Sequence, residues 1–285
     1  MELTPAPGPG PVPRVSVICS VYNGMQHVDK AVPSILNQTL TDFEFLIVDD
    51  GSDDGTSEFL ARVADNDPRV RLFRLERVGL ARAVNYALQH ARAPYVARQD
   101  FDDVSYPRRL EAQVALLDSD PSLGLVGSWY VLDDATRGER YIRQHPTDDR
   151  SLRCRMTKAI PFAHTLVTLR TTALREVGGI AEVDNITDLR TWIAIAERGW
   201  RLSNVPEVLG EHFVYPESFW HRRFSYARRQ RELAWVQLTA IFRLGLGWWR
   251  IIYPAGRLVY GSMSTSLKRF VRRAVAGNRE ADVPA

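Results

Sequence analysis

Short apolar runs alternate with amphipathic stretches along the chain, and that alternation predicts most of the elements. Val15-Ser16-Val17-Ile18-Cys19-Ser20-Val21 is a β-branched run ended by Tyr22-Asn23-Gly24, which reads as a buried strand and a turn. Val28, Ala31, Val32, Ile35 and Leu36 then fall on one helical face suited to packing on a sheet, with Pro33 predicting a kink or a late start. A second strand over 43–48 runs straight into Asp49-Asp50-Gly51-Ser52-Asp53-Asp54-Gly55-Thr56, whose acids and glycines mark a functional turn. A helix over 57–64, a strand over 70–75, a helix with Leu80, Ala83, Val84, Ala87 and Leu88 on one face, and a strand over 95–98 continue the order. This β-α-β-α alternation predicts an α/β fold with a doubly wound, mostly parallel sheet. Ligands of such sheets bind beyond the carboxyl ends of the strands. The turns at Tyr22, Asp49 and Asp100 should therefore converge on one crevice.

The second half is less regular. After Pro107 a helix runs through Leu110, Val114 and Leu117, and a strand follows over 123–130. Residues 133–158 are polar and irregular, 165–169 resembles a strand, and Gly178-Gly179 precedes a polar loop and a helix over 188–198. Strands over 201–205 and 208–214 close the body. Beyond it, Phe224, Ala227, Ala234, Trp235, Leu238, Ile241 and Phe242 give a broken apolar stripe on a helix studded with arginines. The apolar stretch 244–263 contains Arg250, Pro254 and Arg257 and is too interrupted for a comfortable transmembrane span.

Charge sharpens this division. The net charge is +3, yet residues 219–285 hold 13 Lys/Arg against 3 Asp/Glu (+10), leaving 24 against 31 (−7) for residues 1–218. A basic tail on an acidic body suits an anionic membrane surface or nucleic acid, and no groove-reading motif supports nucleic acid. The tail reads as an interfacial amphipathic segment or as a helix packed on the body with a solvated basic face. Cys19 and Cys154 have no metal-type spacing, which fits a reducing compartment and argues against a disulfide framework. The Pro-rich start lacks a basic segment followed by an apolar core, so residues 1–13 read as a flexible leader and the expected location is cytoplasmic.

The chemistry centres on Gln99-Asp100-Phe101-Asp102-Asp103, placed just past a strand. Asp100 and Asp102, spaced i, i+2, could hold a hard divalent cation that serves phosphate oxygens; alone, the pattern equally describes an acidic surface loop.

Several ordered motifs decide the matter. They are Val-Ser-Val-Ile-Cys-Ser-Val-Tyr-Asn-Gly (15–24), Ser-Ile-Leu-Asn-Gln-Thr (34–39), Val-Asp-Asp-Gly-Ser-Asp-Asp-Gly-Thr (48–56), Gly-Leu-Ala-Arg-Ala-Val-Asn (79–85) and Gln-Asp-Phe-Asp-Asp (99–103) with Pro107, Arg109 and Leu110. Glu-Val-Gly-Gly (176–179), Thr-Asp-Leu-Arg-Thr-Trp (187–192), Glu-Arg-Gly (197–199) and Pro-Glu-Val-Leu (206–209) complete the set. In this order, over about 15–218, the sequence resembles the family-2 glycosyltransferases of GT-A fold. The resemblance implies inverting transfer of a sugar from a nucleotide-diphosphate donor to an acceptor hydroxyl. It implies a body over 14–217, with a nucleotide-sugar half over about 14–105 and an acceptor half over about 106–217, and a helical tail over 218–285. It implies Asp102 as ligand of Mn²⁺ or Mg²⁺, with Asp100 beside it or on the ribose, and Asp49 as the contact to the base. Ser20, Tyr22 and Asn85 match other positions lining the nucleotide cleft, although each could equally form a turn or cap a helix. Asp188 matches the catalytic base, and an acid in a helix's first turn is otherwise favoured by the dipole. His164 aligns near the acceptor side, or is a satisfied structural histidine; Trp129 and Trp220 could stack on a sugar, whereas Trp192 belongs to the core.

Departures from the family pattern matter too. Thr187 replaces a Glu and Arg190 replaces an acid, which could favour an anionic acceptor or lower the basicity of Asp188. They also motivate an alternative, a catalytically silent nucleotide-binding or scaffold module of the same fold. Tyr215-Pro216-Glu217-Ser218 stands where a His before a turn is frequent, with His212 as a weak substitute for a third metal ligand. The expected partners are a nucleotide-diphosphate sugar, a glycan or lipid-linked acceptor of envelope or surface-glycan synthesis, and an anionic membrane surface met through 219–275, at the inner face of the cell membrane.

Overall fold

The computed structural model describes residues 11–183, 185–215 and 225–263. The first half follows the alternation: β1 (Val15–Val21), α1 (Val28–Leu36), β2 (Phe43–Asp49), α2 (Thr56–Asn66), β3 (Val70–Arg74), α3 (Leu80–His90) and β4 (Tyr95–Asp100). A short 3-10 turn, Met25–His27, leads into α1 and places Pro33 inside that helix. Next come β5 (Val104–Ser105), α4 (Arg109–Ser119), β6 (Leu123–Asp134), β7 (Glu139–Arg143), α5 (Asp149–Met156), β8 (Thr168–Arg170), α6 (Thr171–Glu176), α7 (Thr187–Glu197) and β9 (Arg201–Val214). Two further helices follow, α8 (Tyr226–Arg243) and α9 (Ile252–Ser262).

One sheet runs β3-β2-β1-β4-β8-β6-β9-β5, with β7 added to β6. The β3-β2-β1-β4 half is parallel, whereas β8 is antiparallel to both neighbours, β6 and β9 are parallel, and β5 and β7 pair antiparallel. The sheet is thus parallel where strands and helices alternate and mixed beyond β4.

Each strand shares its side chains between two cores, as a period of two requires. Val15, Val17, Cys19, Phe43, Phe45 and Ile47 pack beneath α1, α2 and α4 with Val32, Ile35, Leu60 and Leu110. Ile18, Leu46, Val48 and Val96 face the other way, against Val84 and Ala87 of α3, Leu189 and Trp192 of α7, and Val236 and Ala240 of α8. The helix at the start of the tail is therefore packed into the main core.

Several local expectations are corrected. Strand β4 extends through Gln99 to Asp100, so Asp100 ends the strand instead of opening the loop. The polar stretch 133–158 holds the β6–β7 hairpin and α5, capped by Asp148 accepting from the Ser151 N–H at 2.8 Å. The expected strand over 165–169 is a 3-10 turn, His164–Leu166, followed by the short β8. The two closing strands form one strand, β9, because the register steps from Ser128↔Val205 to Trp129↔Val208 and bulges out Pro206 and Glu207. The leader over 1–10, Trp220 and Phe224, the turn over 216–218 and the end of the tail lie outside the described residues.

Candidate active site

Register brings the first three polar positions to neighbouring strand ends. On the adjacent strands β2, β1 and β4, Ser20 lies in one row with Val48 and Asp100, and Asp49 comes one residue further on, opposite Val21 and on the alternate face of the sheet. Two turns are tied together above this row. Asn23 donates through Nδ2 to Asp53 Oδ1 at 2.7 Å and accepts from the Asp53 N–H at 2.9 Å, while its own N–H reaches Ser52 Oγ at 2.9 Å. The Gly24 N–H donates to Thr56 Oγ1 at 3.0 Å, and a Cβ on Gly24 would meet Val21 and Phe101 below 3 Å. Only glycine lets these turns approach so closely.

The acids beneath divide into braced and open ones. Asp49 is buried and accepts one hydrogen bond, from the Ser52 N–H to Oδ1 at 3.0 Å. Asp50 accepts from the Val78 and Gly79 N–H groups at 2.7 and 2.8 Å, fixing the entry to α3. The Arg77 guanidinium lies 3.0 Å from the centroid of the half-exposed Tyr22 ring and covers one of its faces.

Arg98, fully buried on the same strand face as Asp100, organises the next group. Its guanidinium donates to Ile18 O at 2.8 Å, Asp100 Oδ1 at 2.7 Å and His164 Nε2 at 3.2 Å. Burial would raise the Asp100 carboxyl, but the adjacent Arg98 holds it below the usual carboxylate range. His164 is pushed down to about 4 by burial and by Arg98, so its ring is neutral and Nε2 accepts. The proton therefore sits on Nδ1, which is buried without a partner among the described residues, and the ring packs 5.9 Å from that of Trp192.

Asp102 and Asp103 part company. Asp103, 1% exposed, accepts from the Phe213 N–H at 2.8 Å and from His212 Nδ1 at 2.9 Å, which joins the acidic loop to β9. Burial disfavours a charged His212, yet Asp103 outweighs it and raises the imidazole to about 9. Its Nδ1 is therefore engaged with Asp103. Asp102 accepts no hydrogen bond from another residue among those described. Burial and the charges of Asp103 and Asp100 push it up to about 7. A carboxyl group crowded by carboxylates and left open suits a bound cation. Among the described residues no three His, Cys, Asp or Glu side chains form a ready-made cage.

Asp188 enters from the far side, in the first turn of α7. Ile186, at the N-cap, has φ 56°, a left-handed conformation that costs a β-branched residue strain and that persists only where its surroundings fix it. Burial, with the Asp100 charge adding to it, raises Asp188 to about 6. Trp192, one turn on, is fully buried, and its Nε1 has no partner among the described residues. The Arg190 backbone N–H donates to Ile186 O at 3.3 Å, while its side-chain Nε is buried without a partner among them.

Asn85 has a different engagement. Its Nδ2 donates to Ile180 O at 2.9 Å and Glu182 Oε1 at 3.0 Å, and its Oδ1 accepts from the Ile180 N–H at 2.8 Å. A Cβ on Gly179, φ 91°, would sit 2.4 Å from that oxygen, so the Gly178-Gly179 turn is shaped around the amide. Trp129 donates from Nε1 to His145 O at 2.9 Å.

Two arginines were harder to find from sequence. Arg98 is an arginine inside a buried strand two residues before a site acid, and period-two alternation is the signal that could have exposed it. Arg109, also fully buried, donates to Gln99 Oε1 at 3.0 Å, Ser105 Oγ at 2.6 Å and Arg98 O at 2.5 Å without any carboxylate partner. Burial pushes it down to about 9.

Comparison with known proteins bears on family and fold. Residues 16–178 match the family described as glycosyl transferase family 2. The chain is 31% identical over 276 residues to the putative glycosyltransferase EpsE of Bacillus subtilis, covering 94% of this chain and 96% of that one. It is 29% identical over 238 residues to the putative teichuronic acid biosynthesis glycosyltransferase TuaG of the same organism, covering 81% and 90%. In structure it is similar to the mannosyltransferase PcManGT of Pyrobaculum calidifontis, solved with GDP-Man and Mn²⁺, at TM-score 0.63 and 23% identity over 95% of this chain and 82% of that one. It is also similar to S. aureus TarS 1-349 with UDP-GlcNAc, at TM-score 0.66 and 17% identity over 86% and 70%. Fold and strand-end crevice define a glycosyltransferase of GT-A architecture. The chain belongs to glycosyl transferase family 2.

Proposed function

We propose that this glycosyltransferase moves a sugar from a nucleoside-diphosphate donor to an acceptor hydroxyl, with inversion at the anomeric carbon, in the building of a cell-envelope or surface glycan. The observation that supports this reading is that Asp188, in the first turn of α7, is close enough to the end of β4 to feel the charge of Asp100. Asp102, with the second oxygen of Asp100, would hold Mn²⁺ or Mg²⁺, which supplies neutralisation of the charge that develops on the departing diphosphate. Asp49 keeps an oxygen free for an N–H of the base, and Ser20 and the braced Tyr22 line the same cleft. Asp188, ionised at neutral pH, accepts the acceptor hydroxyl's proton as that oxygen bonds to the anomeric carbon and the bond to the diphosphate oxygen breaks.

The acceptor is a glycan or lipid-linked saccharide, and the reaction takes place at the inner face of the membrane. Relatives named for teichuronic acid and O-antigen biosynthesis support the envelope assignment. Thr187 and Arg190 make the Asp188 segment less acidic, which keeps a silent binding module as the alternative. Incubation with nucleotide sugars, scored by released nucleoside diphosphate, separates the two. Turnover by the wild type that Asp188→Asn abolishes supports transfer; turnover equal in both refutes the assigned base, and none in either supports the silent module.

A further inference from the structure

Helices α8 and α9 each turn one face to the protein and another to solvent. On α8 the residues Ala234, Val236, Gln237, Ala240 and Ile241 are buried, while Arg228, Arg231, Trp235 and Phe242 form an exposed stripe at helical spacing. On α9 the inward side is Pro254, Arg257 and Gly261. Arg257 fastens it by donating to Gln237 Oε1 at 3.0 Å, Gln230 Oε1 at 2.7 Å and Lys158 O at 2.9 Å. Its outward side presents Ile252 and Val259. The 3-10 turn between the helices, Trp248–Ile251, exposes Trp249 and leaves Trp248 80% exposed, with the Arg250 guanidinium 4.5 Å from the Trp249 ring centroid.

Large apolar side chains gathered on the outside of a well-packed helix pair mark an interaction surface. We propose that this face seats the protein on an anionic lipid bilayer, with Trp248, Trp249, Ile252 and Phe242 entering the headgroup region. Charge selects that occupant. Residues 225–263 carry six arginines against one glutamate; Arg228 and Arg243 pair with Glu232 and Glu197 and Arg257 faces inward, so the outward charge includes Arg231 and Arg250, and Lys268, Arg269, Arg272 and Arg273 follow in sequence. Tryptophan suits the boundary between water and hydrocarbon, where its ring is apolar and its N–H stays wet. No helix among the described residues is long and apolar enough to cross a membrane, so the contact made by these helices is with the surface. A second copy of the chain fits less well, because a two-fold contact would press two copies of the same net-basic face together. The seat does not depend on which donor or acceptor the crevice takes.

The test is co-sedimentation of the full chain with phosphatidylcholine vesicles, with and without phosphatidylglycerol. The wild type should bind the anionic vesicles, release in high salt, and show a blue-shifted tryptophan emission when bound. The triple variant Trp248→Ser, Trp249→Ser, Ile252→Ser should bind about tenfold more weakly or worse with an unchanged melting temperature, since all three side chains point outward. Absence of wild-type binding, or equal binding by the variant, overturns the proposal. So does a wild-type dimer that the variant splits into monomers without any vesicle binding.

Discussion

Asp188 is held at about 6 by burial and by the charge of Asp100, so it is ionised at neutral pH yet basic enough to take a proton. Asp188→Asn should lower kcat by about 10²–10⁴-fold. In the wild type, activity should fall about tenfold per pH unit below about 6 as the carboxylate protonates. An acidic limb surviving in a residually active Asp188→Asn would count against the assignment. Asp102 makes the complementary prediction about stability. Its folded value of about 7 lies above the unfolded carboxylate value, so its favourable contribution is present at low pH and is lost as pH rises from about 4 to about 7. Without metal, Asp102→Asn should therefore melt a few degrees above the wild type at pH 8, and the gap should close towards pH 4. The motif order suggested Asn85 as a nucleotide-cleft position, but a one-dimensional sequence could not reveal that Ile180 and Glu182 use its amide. Asn85→Ala should cost about 1–3 kcal/mol in denaturant titration by leaving the Ile180 backbone unpaired. A change confined to donor KM, with stability intact, would instead identify a nucleotide contact.

At the level of elements, the acidic loop owes its position to what lies behind it. Arg109 on α4 binds β4, β5 and the backbone of Arg98 at once, so it sets the distance between the strand that ends in Asp100 and the segment after Asp103. Arg109→Met should destabilise by about 2–4 kcal/mol, because Gln99, Ser105 and the Arg98 carbonyl lose a buried donor; Arg109→Lys should recover only part of it, having no planar fork. Equal stability of all three proteins would refute this role. The elements that were legible are those whose periodicity is clean, such as β1, β2 and α3. The ones that were not have polar outer faces: α5 buries only Leu152 and Met156, and every residue of β7 stays at least partly exposed. In β9 the Pro206-Glu207 bulge imitates a strand end.

For the molecule as a whole, sequence alternation revealed the parallel half of the sheet, because each of those strands is followed by a helix. It could not reveal the mixed half, where β8 inserts antiparallel between β4 and β6 by a pairing distant in sequence. Of the two readings of the tail, α8 agrees with the packed one: it enters the core through Ala234, Val236 and Ala240, and its arginine and aromatic stripe faces solvent. The placing of Ser20, Asp49 and Asp100 at the ends of neighbouring strands followed from strand-end logic. The bracing by Arg98, the Asp103–His212 pair and the strain at Ile186 emerged only from three-dimensional packing.

In the proposed mechanism the crevice holds a nucleoside diphosphate through a divalent ion at Asp102. Thermal melting of the wild type and Asp102→Asn with UDP, GDP and dTDP, with and without Mn²⁺, tests it most directly, since a ligand of the folded state must raise the melting temperature by mass action. A clear rise with one nucleotide, requiring Mn²⁺ and lost in Asp102→Asn, is the predicted result. Contradiction would be a wild type that none of these nucleotides stabilises, or a shift as large without Mn²⁺ or in the variant.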